Sequence, residues 1–245
     1  MGDRFNRQAD TAPIDDLLGV TLVGAGHLGS RIVESLTETG FGQKSPIIVY
    51  EPDSVEEHNV PASWFTMDQI GMNKGEAVAA NAANFSGAEL TIIPRKFDKQ
   101  PVATPILIMS VDSLAKRKAI YDAIKGKDKP YPEYIIDVRS GWATIMLFAF
   151  HRGDAHKFFL PSMEREVREL PCSAKSVAFN ALVGAGWVAA VARNMSMGKP
   201  FPHELSLDHD VWTMDIEIDY SLFDMSRAMA KEGEHGAEED QTTST

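Results

Sequence analysis

Cysteine is nearly absent from this sequence, since Cys172 is the single cysteine among 245 residues. A lone cysteine cannot close a disulfide within the chain, so the fold does not depend on an oxidising compartment. The paired CxxC motifs of a structural zinc site are excluded for the same reason, and we expect no zinc.

Long hydrophobic segments and an excess of positive charge are also missing. The longest apolar stretch, residues 178–192, contains Asn180 and several glycines and is too short to span a membrane. The N-terminus is polar and lacks the apolar core of a signal peptide. With 24 basic and 35 acidic side chains the net charge is −11, which repels nucleic-acid backbones and anionic membranes. These features predict a cytoplasmic protein that binds neither nucleic acid nor membrane.

Short apolar runs alternate with helical patterns along the first 150 residues. The alternation indicates βαβ units. We therefore predict an α/β fold, a Rossmann-like, doubly wound and mostly parallel sheet flanked by helices, with a mixed or antiparallel C-terminal extension. Predicted strands cover residues 17–23, 47–50, 90–93, 106–109, 134–138 and 144–150; predicted helices cover 27–39, 73–84, 114–124 and 174–195; predicted loops cover 51–66, 126–132 and 161–169.

Composition divides the chain into three parts. Residues 1–16 are polar, which predicts a flexible N-terminal segment. Residues 17–226 hold all the predicted strands and helices and form one predicted domain. Residues 227–245 are acidic and poor in apolar residues, which is typical of a disordered tail.

A glycine-rich turn follows the first predicted strand. Gly24, Gly26 and Gly29 fit the pattern GxGxxG, with Leu28 inside it, and a predicted helix follows. Glycines let the backbone approach a pyrophosphate closely, and the helix N-terminus offers free N–H groups and a partial positive charge. Strand, turn and helix in this order favour nucleotide binding over a purely structural turn.

Acidic residues follow the second predicted strand. Glu51 lies at its C-terminal edge, where an acid roughly 20 positions past the glycines accepts a hydrogen bond from a ribose hydroxyl. Asp53 and Glu57 lie in the loop behind it, where a solvated acidic loop is the simpler interpretation. These residues leave the choice between NAD and ATP open. About a hundred residues remain after the fifth strand, which is few for the substrate domain of a dehydrogenase.

Several motifs, taken in order, resemble those of the ThiF/MoeB/HesA family, which is related to ubiquitin-activating enzymes. VGAGHLGS matches the GxGxxGS turn of the family, YEPDSVEEHN matches its acidic pair DxDxVxxxN, and DQIGMNK matches its "diG…K" motif. Further along, MSVDS at residues 109–113 is similar to a strand ending in "cTDn", and Cys172 precedes a glycine-rich apolar helix. The resemblance covers roughly residues 18 to 195, and order and spacing together are far more specific than any single motif.

The resemblance implies roles for the matched residues, with ATP and Mg²⁺ as cofactors. Glu51 matches the ribose-binding acid and Asn59 an asparagine near the phosphates. Lys74 matches the lysine that binds ATP phosphates, and Asp112 matches the acid that holds Mg²⁺. Taken singly, Lys74 is also an ordinary surface lysine, Asp112 a helix N-cap and Asn59 a turn former. The predicted cofactor-binding residues are Gly24, Gly26, Leu28, Gly29, Glu51, Asp53, Asn59 and Lys74, with Asp112 for the metal.

One pair departs from the family pattern. The family has Arg-Gln three and four residues after the asparagine, where this chain has Ala62 and Ser63. The absent arginine is a bidentate phosphate ligand, and its loss costs on the order of a few kcal/mol in the transition state unless something replaces it. Arg4 or Arg7, reaching across from a second subunit, is a candidate replacement.

The leading hypothesis is an ATP-dependent, adenylyltransferase-like enzyme, with Lys74, Asp112 and Cys172 as catalytic residues. It would activate the C-terminus of a ubiquitin-like or sulfur-carrier protein and, by resemblance, form a homodimer. Cys172 either attacks the acyl-adenylate, helped by the dipole of the helix behind it, or is an inert buried thiol. The absent Arg-Gln pair favours a second hypothesis, a degenerate scaffold that binds nucleotide weakly or not at all. An NAD-dependent oxidoreductase is the third.

Overall fold

The computed structural model describes residues 5–98, 100–125, 132–164 and 177–222 of the chain. In chain order the strands are β1 (Val20–Val23), β2 (Ile47–Tyr50), β3 (Leu90–Ile93), β4 (Ile106–Met109), β5 (Tyr134–Ser140), β6 (Thr144–His151), β7 (Glu204–Asp208) and β8 (Thr213–Glu217). The helices are α1 (His27–Thr39), α2 (Lys74–Ser86), α3 (Leu114–Ile124), α4 (Phe159–Glu164) and α5 (Ala178–Met197). Short 3₁₀ helices at Glu57–Ala62 and Met67–Gln69 lie between β2 and α2.

The strands form one mixed sheet in the order β3-β2-β1-β4-β5-β6-β7-β8. The first five pair in parallel, and β6, β7 and β8 continue the sheet beyond β5 as an antiparallel meander. The predicted fold class is confirmed, including its antiparallel extension. The chain leaves β1 toward β2 and β3 on one side and returns through β4 on the other. At such a reversal point, α/β sheets bind ligands outside the carboxyl ends of the strands.

Helices cover both faces of the sheet and so create two hydrophobic cores. Residues alternate between the cores along a strand, as in β4, where Ile106 and Ile108 face one core. Leu107 and Met109 face the other. The first core contains buried side chains of α1, α2 and α5, and the second those of α3 and α4. This two-sided packing explains why β1 and β4 are buried along their whole length.

Local sequence sets where the helices begin and end. α1 ends at Gly40, whose φ of 107° lies in the left-handed region that favours glycine. α2 begins after Asn73, whose side chain accepts two backbone N–H groups of the first turn. α3 begins after Ser113, which caps it through the Lys116 N–H. Ser113 is therefore the N-cap of α3, and the alternative interpretation of Asp112 as that cap is wrong.

The described structure differs from the predicted elements in several places. The strand predicted at residues 17–23 begins only at Val20, and the loop predicted at 51–66 contains the 3₁₀ helix Glu57–Ala62. The loop predicted at residues 161–169 is wrong over residues 161–164, because α4 is helical there. Phe159 is fully buried against Phe150 and Tyr121, so tertiary packing stabilises this short helix. The sequence predicts an antiparallel extension without strand bounds, and β7 and β8 supply them.

Parts of other predictions lie outside the described residues. These parts are residues 1–4, residues 126–131 of the loop predicted at 126–132, residues 165–169 of the loop predicted at 161–169, the start of the helix predicted at 174–195 and the tail predicted at 227–245. The flexibility predicted for residues 1–16 stays a prediction. Across the described ranges, we find no helix with the length and hydrophobicity that a membrane crossing requires.

Candidate nucleotide-binding site

The glycine-rich turn connects β1 to α1 at the carboxyl edge of the sheet. A Cβ atom at Gly29 would lie 2.0 Å from the Gly24 carbonyl oxygen, so the turn closes only with glycine there. At Gly26, in contrast, an added Cβ would meet nothing within 4 Å, so this side of the turn is open. The turn thus combines open space with the N-terminus of a 13-residue helix, an arrangement that suits phosphate binding.

Glu51 follows β2 and ties it to the turn. One oxygen of its buried carboxylate accepts a hydrogen bond from the Ala25 N–H at 2.6 Å, and the other accepts from the Asp53 N–H at 2.9 Å. Burial raises the pKa of Glu51, while those two N–H groups and the Lys74 ammonium oppose the rise. Each oxygen retains a second lone pair, so Glu51 can accept a ligand hydroxyl without releasing the turn.

Lys74 is the first residue of α2 and is held beside Glu51 by its neighbour Asn73. The Asn73 amide donates to the backbone oxygens of Glu51 and Asp53, at 2.9 and 3.2 Å. The Lys74 N–H donates to the same Asp53 oxygen at 2.9 Å. The Lys74 ammonium is close enough to act on the Glu51 carboxylate. Sequence reasoning missed Asn73, although an asparagine directly before a predicted helix is a capping signal.

Asp112 follows β4, the strand that pairs with β1. Ser110 joins this segment to the glycine turn, because its hydroxyl donates to the Gly24 carbonyl oxygen at 2.5 Å. The Asp112 carboxylate is half-exposed and pairs with Lys116 Nζ at 2.7 Å. No group of three or more His, Cys, Asp or Glu side chains suited to a metal occurs within the described residues. A single carboxylate still fits Mg²⁺, which commonly completes its shell with water and substrate phosphate oxygens.

A buried arginine on α3 holds the backbone next to Asp112 through hydrogen bonds, and the sequence analysis did not identify it. Arg117 on α3 donates to the backbone oxygens of Met109 and Val111, which frame the turn after β4. Burial lowers the pKa of Arg117, while its carboxylate partner on β5 opposes that change. The direction of the Asp112 turn is therefore set partly by a side chain from the next helix.

That carboxylate partner belongs to Asp137, whose side chain is fully buried on β5. Asp137 also pairs with Arg139 at 2.7 Å, so two guanidinium groups satisfy one buried acid. A sequence signal for this network exists, because helical spacing places Arg117 on the same buried face of α3 as Ile120 and Ile124. An arginine on an apolar stripe indicates a buried partner.

The segment matched to the missing Arg-Gln pair is packed inward. Ala62 and Ser63 are 8% and 2% exposed, so neither position offers a cation to a ligand. Asn59 lies in the 3₁₀ helix that ends at Ala62, and its side-chain oxygen accepts from the Glu56 N–H at 3.0 Å. Asn59 therefore has a turn-forming role here, and its contact with phosphates stays a prediction.

The remaining candidate residues lie elsewhere in the chain. Cys172 and Arg4 fall outside the described residues. Arg7 lies in a 3₁₀ turn beside Gln8, whose side chain donates to the Glu38 carbonyl oxygen near the C-terminal end of α1. The glycine turn is at the other end of that helix, about 20 Å away. Arg7 of the same chain thus lies far from the turn, and a contribution from a second subunit stays a prediction.

His27 is a further residue that sequence reasoning missed. It begins α1 inside the glycine-rich turn, and its Nε2 atom lies 3.3 Å from the Val177 carbonyl oxygen just before α5. Burial lowers the pKa of His27, the Val177 bond opposes this, and Arg31 adds to it. The ring thereby connects the turn to α5, and burial favours its neutral form.

Fold and site together define a class of protein: an α/β sheet with an open glycine turn at its reversal point, approached by a lysine and acids from neighbouring strand ends. The sequence pattern of the ThiF family matches residues 14–133, which include the turn, Glu51, Lys74 and Asp112. This part of the chain belongs to the ThiF family, and the predicted family is confirmed.

Two relatives illustrate how far the sequence similarity extends. Ubiquitin-like modifier-activating enzyme 5 of Aedes aegypti is 35% identical over 79 residues, which are 32% of this chain and 19% of that enzyme. The enzyme of the same name from Drosophila mojavensis is 37% identical over 89 residues, 36% of this chain and 21% of the enzyme. The matched part of this chain thus spans only about a fifth of these relatives.

Solved structures share the fold over most of the chain. The crystal structure of PaaA is 17% identical with a TM-score of 0.67, covering 88% of this chain and 72% of that one. Escherichia coli MccB crystallised with ATP is 17% identical with a TM-score of 0.66, covering 89% and 72%. MccB with MccA gives a TM-score of 0.68 at 16% identity, covering 89% and 72%. At these identities the likeness establishes the fold alone.

Proposed function

We propose that this protein uses ATP to adenylate a carboxylate. One observation carries the proposal: Glu51 with Lys74, and the Ser110–Asp112 segment, reach the same glycine turn from neighbouring strand ends. Membership of residues 14–133 in the ThiF family supports ATP over NAD as the nucleotide. An ATP complex of MccB, which shares the fold, supports it further.

Each part of the site has a defined task in this proposal. The open turn at Gly26 and the N-terminus of α1 bind the phosphates, and Glu51 accepts a ribose hydroxyl. Lys74 stabilises negative charge that develops during transfer. Asp112 would hold Mg²⁺ once its pair with Lys116 opens, and bound Mg²⁺ supplies charge neutralisation between phosphates.

The chemistry needs little acid–base machinery. An ionised carboxylate oxygen of the substrate attacks the α-phosphorus, and the bond from that phosphorus to the bridging oxygen breaks as pyrophosphate leaves. The product is an acyl-adenylate, and no proton has to move. We further propose that the substrate is the C-terminus of a ubiquitin-like or sulfur-carrier protein, which agrees with the name of the sequence relatives. Homodimerisation and acyl capture by Cys172 belong to the same proposal.

A second candidate function is a degenerate scaffold without catalysis. Two observations favour it. The Arg-Gln positions hold buried Ala62 and Ser63, and the Asp112 carboxylate is already paired with Lys116. A scaffold of this kind binds ATP weakly or not at all and forms no adenylate.

Exchange of pyrophosphate into ATP separates these candidates. The assay contains Mg²⁺, the purified chain and a synthetic peptide ending in Gly-Gly, and calorimetry measures ATP binding in parallel. We expect exchange in the wild type and a loss of about a hundredfold in Lys74→Ala and in Asp112→Ala. Lys118 lies on the exposed side of α3, and Lys118→Ala is the matched control, which we expect to retain exchange. Exchange that survives in both site variants contradicts the assignment, and the absence of exchange in the wild type, with weak ATP binding or none, indicates the scaffold.

A further inference from the structure

Lys116 lies in the first turn of α3, at the same edge of the sheet as the glycine turn. Its Nζ atom is 2.7 Å from Oδ1 of Asp112, the carboxylate that would hold Mg²⁺ in the proposed function. Side chains of a helix tilt toward its N-terminus, which agrees with this direction of Lys116. Ser110, two residues before Asp112, donates to the Gly24 carbonyl oxygen. The Lys116 ammonium therefore lies beside a segment that contacts the glycine turn.

Helix stability does not explain a lysine at this position. The side chains of Lys116 and Asp112 are 57% and 55% exposed, and an exposed ion pair contributes little to stability. The partial positive charge at a helix N-terminus disfavours a cation in the first turn. The first turn of α3 contains no acidic residue, yet it contains Lys116 and Arg117. These two cations lie where the helix itself gains nothing from them.

The charges around Lys116 leave a positive excess next to the glycine turn. Arg117 and Arg139 both pair with the single carboxylate of Asp137. Asp112 pairs with Lys116 and also acts electrostatically on Arg117. This cluster thus has three cationic side chains and two carboxylates, although the whole chain has a net charge of −11. A local positive excess on an acidic protein favours an anionic ligand such as a chain of phosphates.

Mg²⁺ and Lys116 compete for the same carboxylate. The ammonium is bound to Oδ1 of Asp112, so a metal ion that binds this oxygen displaces the lysine. The released ammonium stays on its flexible stem at the first turn of α3, next to the phosphates whose charge the metal neutralises. A cation is needed there, because the Arg-Gln positions of the family hold buried Ala62 and Ser63.

We propose that Lys116 binds a phosphate group of ATP when Asp112 binds Mg²⁺, and that it supplies the cation that is missing at Ala62 and Ser63. This inference rests on the proposed function. Lys74 approaches the phosphates from the β2 side of the glycine turn, and Lys116 approaches them from the β4 side. An ammonium binds phosphate as a point charge, without the bidentate geometry of the arginine that it replaces.

Calorimetry with ATP and Mg²⁺ tests the contact through affinity, and pyrophosphate exchange tests it through rate. We expect Lys116→Gln to weaken ATP binding about tenfold and to slow exchange by a similar factor, because it removes a charged donor to phosphate. Lys116→Arg keeps the charge and should stay within about threefold of the wild type in affinity. Lys118→Gln is the control, since it removes the same charge roughly 200° around the helix axis and should change neither quantity.

The outcomes separate this inference from the proposed function. If the wild type binds ATP and exchanges pyrophosphate, equal ATP affinities of Lys116→Gln and Lys118→Gln overturn the role of Lys116 alone. Unchanged ATP affinity with a lower Mg²⁺ requirement in Lys116→Gln also overturns it, because Lys116 would then only block Asp112. A wild type that binds no ATP removes the proposed function and this inference with it. Lys116 is mostly exposed, so its variants should fold, and thermal unfolding checks this.

Discussion

Gly26 and Gly29 belong to the same turn but have different surroundings, which gives a prediction at the scale of single residues. At Gly29 an added methyl meets the Gly24 carbonyl oxygen, whereas at Gly26 it meets nothing within 4 Å. We expect Gly29→Ala to lower the free energy of unfolding by about 2 kcal/mol or more. Gly26→Ala should change it by less than about 0.5 kcal/mol, because its φ of −70° suits alanine.

Gly26→Ala should nonetheless weaken ATP binding, since its methyl group enters the open side of the turn. Thermal unfolding measures the first effect, and calorimetry with ATP measures the second. If the two alanine variants were equally stable, the close approach at Gly29 would not be what closes the turn.

Single residues also differ in how well a sequence reveals them. Glu51 and Lys74 could be predicted, because a strand end and a motif fix their places along the chain. Asn73 and Arg117 were missed, because their importance comes from hydrogen bonds to backbone oxygens of other segments. Such partners are chosen by tertiary structure, and residue type alone does not name them.

At the scale of elements, α3 has a buried face, which includes the charged side chain of Arg117, and an opposite face that is exposed. Arg117 pairs with buried Asp137 and donates hydrogen bonds to the backbone oxygens of Met109 and Val111. Arg117→Met removes these donors and leaves their acceptors buried. We expect the free energy of unfolding to fall by about 3 kcal/mol or more. Lys118→Met, one residue on, removes only a solvent-exposed pair with Asp122 and should cost less than about 1 kcal/mol.

Urea unfolding of the two variants measures this difference. Similar midpoints would contradict the buried network as a support of α3. In the exchange assay, Arg117→Met should also lose activity at a temperature where it is still folded, because the turn that holds Asp112 loses its donor.

Elements with strong local signals were predicted closely, and the others were not. α1 and α3 have the predicted bounds, since glycine and serine mark their ends. α4 was missed because its six residues have no helical stability of their own and depend on the burial of Phe159. In β8, Met214 and Ile216 alternate with polar residues, but every residue of the strand is exposed. The short alternation was therefore not supported by a buried apolar run, and the strand was not predicted.

At the scale of the whole molecule, the site depends on strand order. β1 lies between β2 and β4, which brings the segments after these three strands to one edge although they are far apart in sequence. Alternating strands and helices predict a parallel sheet but not which strands are neighbours. The family resemblance implied that Lys74 and Asp112 serve one site with the glycine turn, but the strand order that brings them there comes from the structure.

The buried residue His203 should make the stability of the whole fold sensitive to acid. His203 is 1% exposed, its Nδ1 accepts the Asp219 N–H at 3.2 Å, and its ring stacks on Phe158. Burial lowers its pKa from 6.5, with Asp219 and Asp154 opposing this and His151 and Lys157 adding to it. Above pH 6.5 both the folded and the unfolded state are neutral at this ring, so its contribution to stability is complete. Below that pH the unfolded chain binds the proton first, and the free energy of unfolding decreases as the pH falls.

His203→Asn tests this, because asparagine keeps an acceptor for the Asp219 N–H but cannot take up the proton. We expect the variant to be less stable than the wild type near neutral pH by about 1 kcal/mol, through the lost ring stacking. Its stability should then fall less between about pH 7 and pH 5 than that of the wild type, with His27 supplying the remaining slope. Urea unfolding at both pH values gives the slopes, and equal slopes for His203→Asn and the wild type would mean that this ring does not cause the acid sensitivity.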